Sequence, residues 1–189
     1  MTATATLSDN SNTKLGSLIH SWSIPAGRQW SCPGESSLCR SRCYAKRGFF
    51  RMPNVNASHQ RNFEFSQTVE FVPWMISALR CNHVRVMRIH ISGDFYSVEY
   101  VRKWIAIVTN CPHQQFFAYT RSWRVEELLP ELVQLSQLKN FRLWWSIDRE
   151  TGPAPVIRGV SRAYMAINDV DAENAPDDCD LVFRDQAVT

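Results

Sequence analysis

The sequence predicts an α/β fold, a partial (βα)6-type barrel of parallel strands with outer helices. Two observations carry that expectation. From residue 84 to 147, short β-branched and aromatic runs alternate with stretches of helical periodicity, the pattern of βαβ units and of a parallel sheet. The strand runs end on polar or turn-forming residues, Ser92-Gly93-Asp94 after one and Thr120-Arg121-Ser122 after the next. Strand ends of that kind carry the chemistry in such folds. An open doubly wound sheet satisfies the same pattern. With 189 residues, 44% of them hydrophobic, the chain is long enough for one domain with a sizeable core and short for two.

Residues 1–13 are rich in Ser, Thr, Ala and Asn, with neither a basic start nor an apolar block. They read as a disordered tail and not as a secretion signal, leaving residues 14–189 as one cytoplasmic domain. Charges interrupt every apolar run before it reaches bilayer length, so no membrane is expected. Leu18, Ile19, Trp22 and Ile24 mark a first strand within residues 14–25, and a cysteine-bearing loop follows over 28–50. A long helix is expected over 56–79, kinked at Pro73. Residues 84–91 form the next strand. Ser97 caps a helix whose Val101, Trp104, Ile105 and Val108 fall on one face. Then come a strand at 115–120, a helix at 125–138 with Pro130 near its start, and strands at 141–147, 164–168 and 179–183. The acidic stretch 169–180 reads as a solvated loop.

Of six cysteines, Cys81, Cys111 and Cys179 stand alone and read as small buried hydrophobes. The other three crowd into Cys32-Pro33-Gly34-Glu35-Ser36-Ser37-Leu38-Cys39-Arg40-Ser41-Arg42-Cys43. Without export, clustered thiols point to metal or redox chemistry and not to disulfides. Cys32, Cys39 and Cys43 on one short loop can wrap a 4Fe–4S cluster, leaving one iron open to another ligand. Zinc is the alternative, with His59 or His20 as the fourth donor. Arg40, Arg42, Lys46 and Arg47 supply cations that favour thiolates.

At the strand ends, Gly93 permits close backbone approach, and Asp94 can accept hydrogen bonds from a cationic amine. A turn with Asp94 at a helix start explains the same residues. Arg121 sits at the same mouth, suited to a carboxylate or phosphate, or to a plain pairing with Glu126 or Glu127. Trp144 and Trp145 must face opposite sides of their strand, and Ser146 and Asp148 end it as further site candidates. His90 reads as a satisfied interior histidine. Residues 1–168 hold 20 bases against 11 acids, a net +9, and Arg makes up 17 of the chain's 21 bases. That balance admits a nucleic acid or nucleotide partner, or simply a solvated basic face.

Several segments resemble the phage gene product 88 family: Asn12-Thr13-Lys14-Leu15-Gly16, Cys32-Pro33, Cys39 through Cys43-Tyr44-Ala45-Lys46, Ser92-Gly93-Asp94-Phe95 and Tyr119-Thr120-Arg121-Ser122. That family in turn looks like a diverged relative of radical S-adenosylmethionine enzymes. The resemblance implies a four-iron cluster on Cys32, Cys39 and Cys43, with Tyr44 beside it. It implies S-adenosylmethionine at the open iron, its amino group held at Ser92, Gly93 and Asp94. Arg121, Ser146 and Asp148 would face the substrate. Radical enzymes place three and then two residues between their cysteines, whereas six and three separate them here. The contrasting expectation is a non-catalytic, metal-stapled basic domain that grips nucleic acid or a host defence protein.

Overall fold

Period-2 alternation and β-branched or aromatic residues produce six strands: β1 (Ile19–Trp22), β2 (Val86–Ile89), β3 (Gln115–Thr120), β4 (Phe141–Ile147), β5 (Val160–Ala166) and β6 (Leu181–Arg184). The structure is a computed structural model that describes residues 5, 7 and 18–184. Its strands join in chain order into one sheet, every neighbouring pair parallel. The sheet curls. The ring centroids of Tyr119 on β3 and Phe183 on β6 lie 5.3 Å apart, whereas three strand spacings on a flat sheet would separate their backbones by about 14 Å. Among the described residues no bond joins β1 to β6, so the curl is a half-barrel, as the alternation predicts.

The convex face is the core. Trp22, Met87, Ile89, Phe116, Ala118, Phe141, Leu143 and Trp145 are all buried there. Helices α1 (Ser37–Arg42), α2 (Pro53–Ser66), α3 (Phe71–Cys81), α4 (Val98–Asn110), α5 (Leu129–Ser136) and α6 (Asp169–Glu173) lie between the strands in sequence. The apolar stripe of α3 (Phe71, Met75, Leu79) and that of α4 (Tyr100, Val101, Trp104, Ile107, Val108) supply the covering layer. Ser97 caps α4 as expected, its hydroxyl accepting from the Tyr100 amide.

Several expected elements differ. The helix expected over 56–79 is two helices: α2 ends where the Gln67 amide folds back onto the Glu64 and Phe65 carbonyls. Pro73 sits in the first turn of α3, where its missing N–H removes no helical bond and no kink follows. Strand β5 begins at Val160, earlier than the expected 164, because Ser161 and Arg162 hide its alternation. No helix links β4 to β5. The acidic stretch starts with α6, capped by the Asn168 side chain on the Asp171 amide. Cys111 is buried as expected, while Cys179 is half-buried and Cys81 is exposed. Most of the expected tail over 1–13 lies outside the described residues; Ala5 and Leu7, which are described, pack against the core. No described helix is long and apolar enough to cross a membrane.

Candidate cysteine site at the strand ends

The cysteine loop leaves the C-terminal end of β1 and folds back over the ends of β2, β3 and β4. Four contacts fix it there. The Arg124 guanidinium donates to the Gly34 carbonyl at 2.9 Å. Gly34 itself lies so close to β3 that an added Cβ would meet the Arg121 carbonyl oxygen at 2.0 Å. The Ser36 hydroxyl donates to Asp148 Oδ2 at 2.6 Å while accepting from the Cys39 amide at 2.9 Å. The Leu38 amide donates to Glu150 Oε2 at 2.8 Å. Two carboxylates from beyond β4 thus hold the first turn of α1, with Ser36 as its cap. This short helix was not expected from sequence. Its stability is tertiary, although Ser36 just before Ser37-Leu38 is a capping signal.

Cys32 lies at the loop's start, its Sγ accepting from the Gly27 amide at 3.3 Å. Cys39 lies on α1, and Cys43 ends that helix. The three thiols sit within electrostatic reach of one another: Cys32 feels Cys39, and Cys39 feels Cys43. Burial, helped by Asp94, pushes the Cys32 thiol up to about 12. Burial also raises Cys39, while the Arg121 guanidinium pulls it part of the way back. A cation from the end of β3, Arg121, thus acts on Cys39. Of the loop's own bases, Arg40 pairs with Glu35 at 2.8 Å, and Arg47 donates to the Ser41 carbonyl. Arg121 also pairs with Asp148 at 3.1 Å, neither side chain more than 9% exposed. Its Nε finds no partner among the described residues. Pairing with Glu126 or Glu127 is not what holds it.

Tyr44 is half open to solvent, yet its hydroxyl is tucked against the Ile91 carbonyl, to which it donates. Burial of that end raises its pKa, and all three cysteines add to the rise. Ser92-Gly93-Asp94 forms a lock between strands. The Ile24 amide donates to the Ser92 carbonyl at 3.0 Å. Gly93 has φ +89, and an added Cβ would meet Ile24 Cγ1 at 2.4 Å, so only glycine fits. Asp94 Oδ1 accepts from Thr120 Oγ1 at 2.5 Å and from the Phe95 amide at 2.7 Å. Its Oδ2 accepts from the Arg121 amide at 2.9 Å. Burial raises Asp94 to about 6 against these stabilising bonds. Both of its oxygens thus serve β3, leaving lone pairs but no free oxygen for an incoming amine. Ser31 completes the lock, bridging the Pro25 carbonyl and the Asp94 amide. Ser31 did not stand out in the sequence, and Thr120 did so only as part of the strand-end segment Tyr119-Thr120-Arg121-Ser122.

The structure therefore brings together Cys32, Cys39, Cys43, Tyr44, Asp94, Arg121 and Asp148. Ser146 is one residue pair lower on β4, on the concave side with Trp144. His90, with φ +66, is fully interior: its Nε2 meets the Tyr100 hydroxyl at 3.0 Å, and burial lowers its pKa to about 3. Beside the loop a cleft of about 410 Å³ is lined by Ala26, Trp30, Lys46, His59 and Ser92. His59 packs on Phe50, and His20 pairs in register with Met87 on β2. Among the described residues no three His, Cys, Asp or Glu side chains converge tightly enough to hold one metal ion.

A profile described as "Gene product 88" matches residues 2–187. The chain belongs to the gene product 88 family. The Gene 88 protein of Mycobacterium phage L5 is 27% identical over 142 residues, covering 69% of this chain and 58% of its own length. The Gene 88 protein of Mycobacterium phage D29 is 26% identical over 162 residues, covering 78% and 66%. The chain thus spans less than two thirds of the length of these two relatives. No solved structure matches it. Within the gene product 88 family, this chain joins its cysteine loop to the strand ends through side chains from β3 and β4.

Proposed function

We propose that this phage-family protein is an iron–sulfur protein of radical S-adenosylmethionine type that modifies a nucleic acid or nucleotide. The observation that supports the reading is the pinned loop: it carries three thiols that influence one another electrostatically over the mouth of a half-barrel, with Arg121 acting on Cys39. Cys32, Cys39 and Cys43 would hold a 4Fe–4S cluster, which supplies one-electron chemistry on S-adenosylmethionine when bound. The chain's own residues then divide the work. Asp148 and Arg121 orient the loop, Arg121 offsets thiolate charge, the Ser92-Gly93-Asp94 lock fixes the mouth, and Ser146 faces the interior below it.

The test is anaerobic purification followed by iron, sulfide and zinc analysis with a visible spectrum. About four irons and four sulfides per chain, lost in Cys39→Ala, and S-adenosylmethionine cleavage by the reduced protein support the reading. A protein that holds no iron and binds no cofactor overturns it. One observation favours a second reading, a metal-stapled domain that binds nucleic acid or a host defence protein without catalysis: both Asp94 oxygens are already engaged by β3. Stoichiometric zinc without cofactor binding is the outcome that reading requires.

A further inference from the structure

Strand register places a second set of side chains on the concave face, below the cysteine mouth. Arg88, Phe117 and Arg142 form one cross-strand row, and Tyr119, Trp144 and Ser161 form the next. The Tyr119 and Trp144 rings stack at 5.1 Å with 29° between their planes. Phe117 presents its edge to Trp144, and Phe183 reaches across the curl to Tyr119. The Arg88 guanidinium lies 5.5 Å from the Tyr119 centroid. None of the four rings is buried, and Phe183 is 46% exposed.

The concave positions of the six strands carry arginines and no acidic side chain. A sheet face packed only for stability would be buried beneath a covering layer, as the convex face of the same strands is. Open aromatic rings interleaved with arginines match a ligand whose units are planar rings joined by phosphates. We infer that the concave face is a stacking platform for single-stranded nucleic acid. Bases lie against Trp144 and Tyr119, and phosphates are met by Arg88 and Arg142. The inference deepens the proposed substrate class, but it stands on the open face and not on the thiols. A failed metal assay leaves it untouched.

The test uses the full chain, as purified and as Cys39→Ser, with fluorescently labelled twelve-residue oligo(dT) and oligo(U) and a duplex of the same length as control. The expected result is binding of single strands well ahead of duplex, equal in the two protein forms. Trp144→Ala and Tyr119→Ala should each weaken it about tenfold. Arg142→Gln, at an exposed position, should leave folding intact and lower the salt slope of binding by about 0.7 for the phosphate lost. Preference between the two strands reports whether ribose is read. Duplex bound as well as single strands, free nucleotide competing equally with the strand, or folded Trp144→Ala binding like wild type would each overturn the inference.

Discussion

The two faces of one sheet differ more than any two elements of this protein. On the convex face, Met87, Ile89, Ala118, Leu143 and Trp145 are no more than 1% exposed beneath the helices. On the concave face the same strands offer Arg88, Phe117, Tyr119, Arg142 and Trp144, none of them buried. Parallel sheets are ordinarily covered on both faces. Here the convex face does the folding, and among the described residues the concave face is only partly covered, with the cysteine loop over its upper end. The lesson is that burial on one side of a strand says nothing about its neighbour one residue along.

Adjacent tryptophans test that division most sharply. Trp145 is wholly buried and donates to the Pro155 carbonyl at 3.1 Å. Trp145→Ala should cost about 4 kcal/mol in urea unfolding, whereas Trp144→Ala should cost about 1 kcal/mol. Equal losses would erase the distinction between the faces. The mouth should resemble the convex face in its sensitivity: Asp148→Ala strands the buried Arg121 guanidinium and frees Ser36, at a cost of about 3 kcal/mol. Limited proteolysis within residues 32–43 should increase in the same variant.

Acid titration contrasts His90 with Asp94, two interior groups of opposite sign. The folded chain holds His90 near 3, against 6.5 for the free group, so acidification between those values charges only the unfolded state and lowers stability. Asp94 is raised from 3.8 to about 6, so in that narrower window the folded state takes up the proton first and acid raises stability. The two effects oppose each other between pH 6 and 4. His90→Asn, whose amide tolerates the positive φ, removes one of them. Its stability should gain about 2 kcal/mol relative to wild type over that drop, read from unfolding midpoints at each pH. The smallest effect belongs to the helix layer: Ser97→Ala removes a cap and should cost about 1 kcal/mol, with oligonucleotide binding unchanged.

Much of this was legible in the sequence. Strands β3 and β4 run over the expected residues because their alternation of apolar and polar positions is strong enough to survive any packing. The half-barrel follows from alternating strands and helices, and the three cysteines stand out by residue type and crowding. Strand β5 was blurred because its early residues lie where the periodicity is broken by Ser161 and Arg162. The break between α2 and α3 left no proline or glycine to mark it. Asp94 looked like a ligand for an amine, but whether its oxygens would be free depended on Thr120 and the Arg121 amide.

By itself, then, the sequence determined which residues alternate, which cap and which carry sulfur, because those properties are local and need only neighbours a few residues away. Tertiary structure decided that Arg121 from the end of β3 acts on Cys39, that Asp148 and Glu150 hold α1, and that Tyr119 meets Phe183. Each of these joins residues far apart in the chain. Their proximity comes from the curl of the sheet and the length of its crossovers, which no short window of sequence contains.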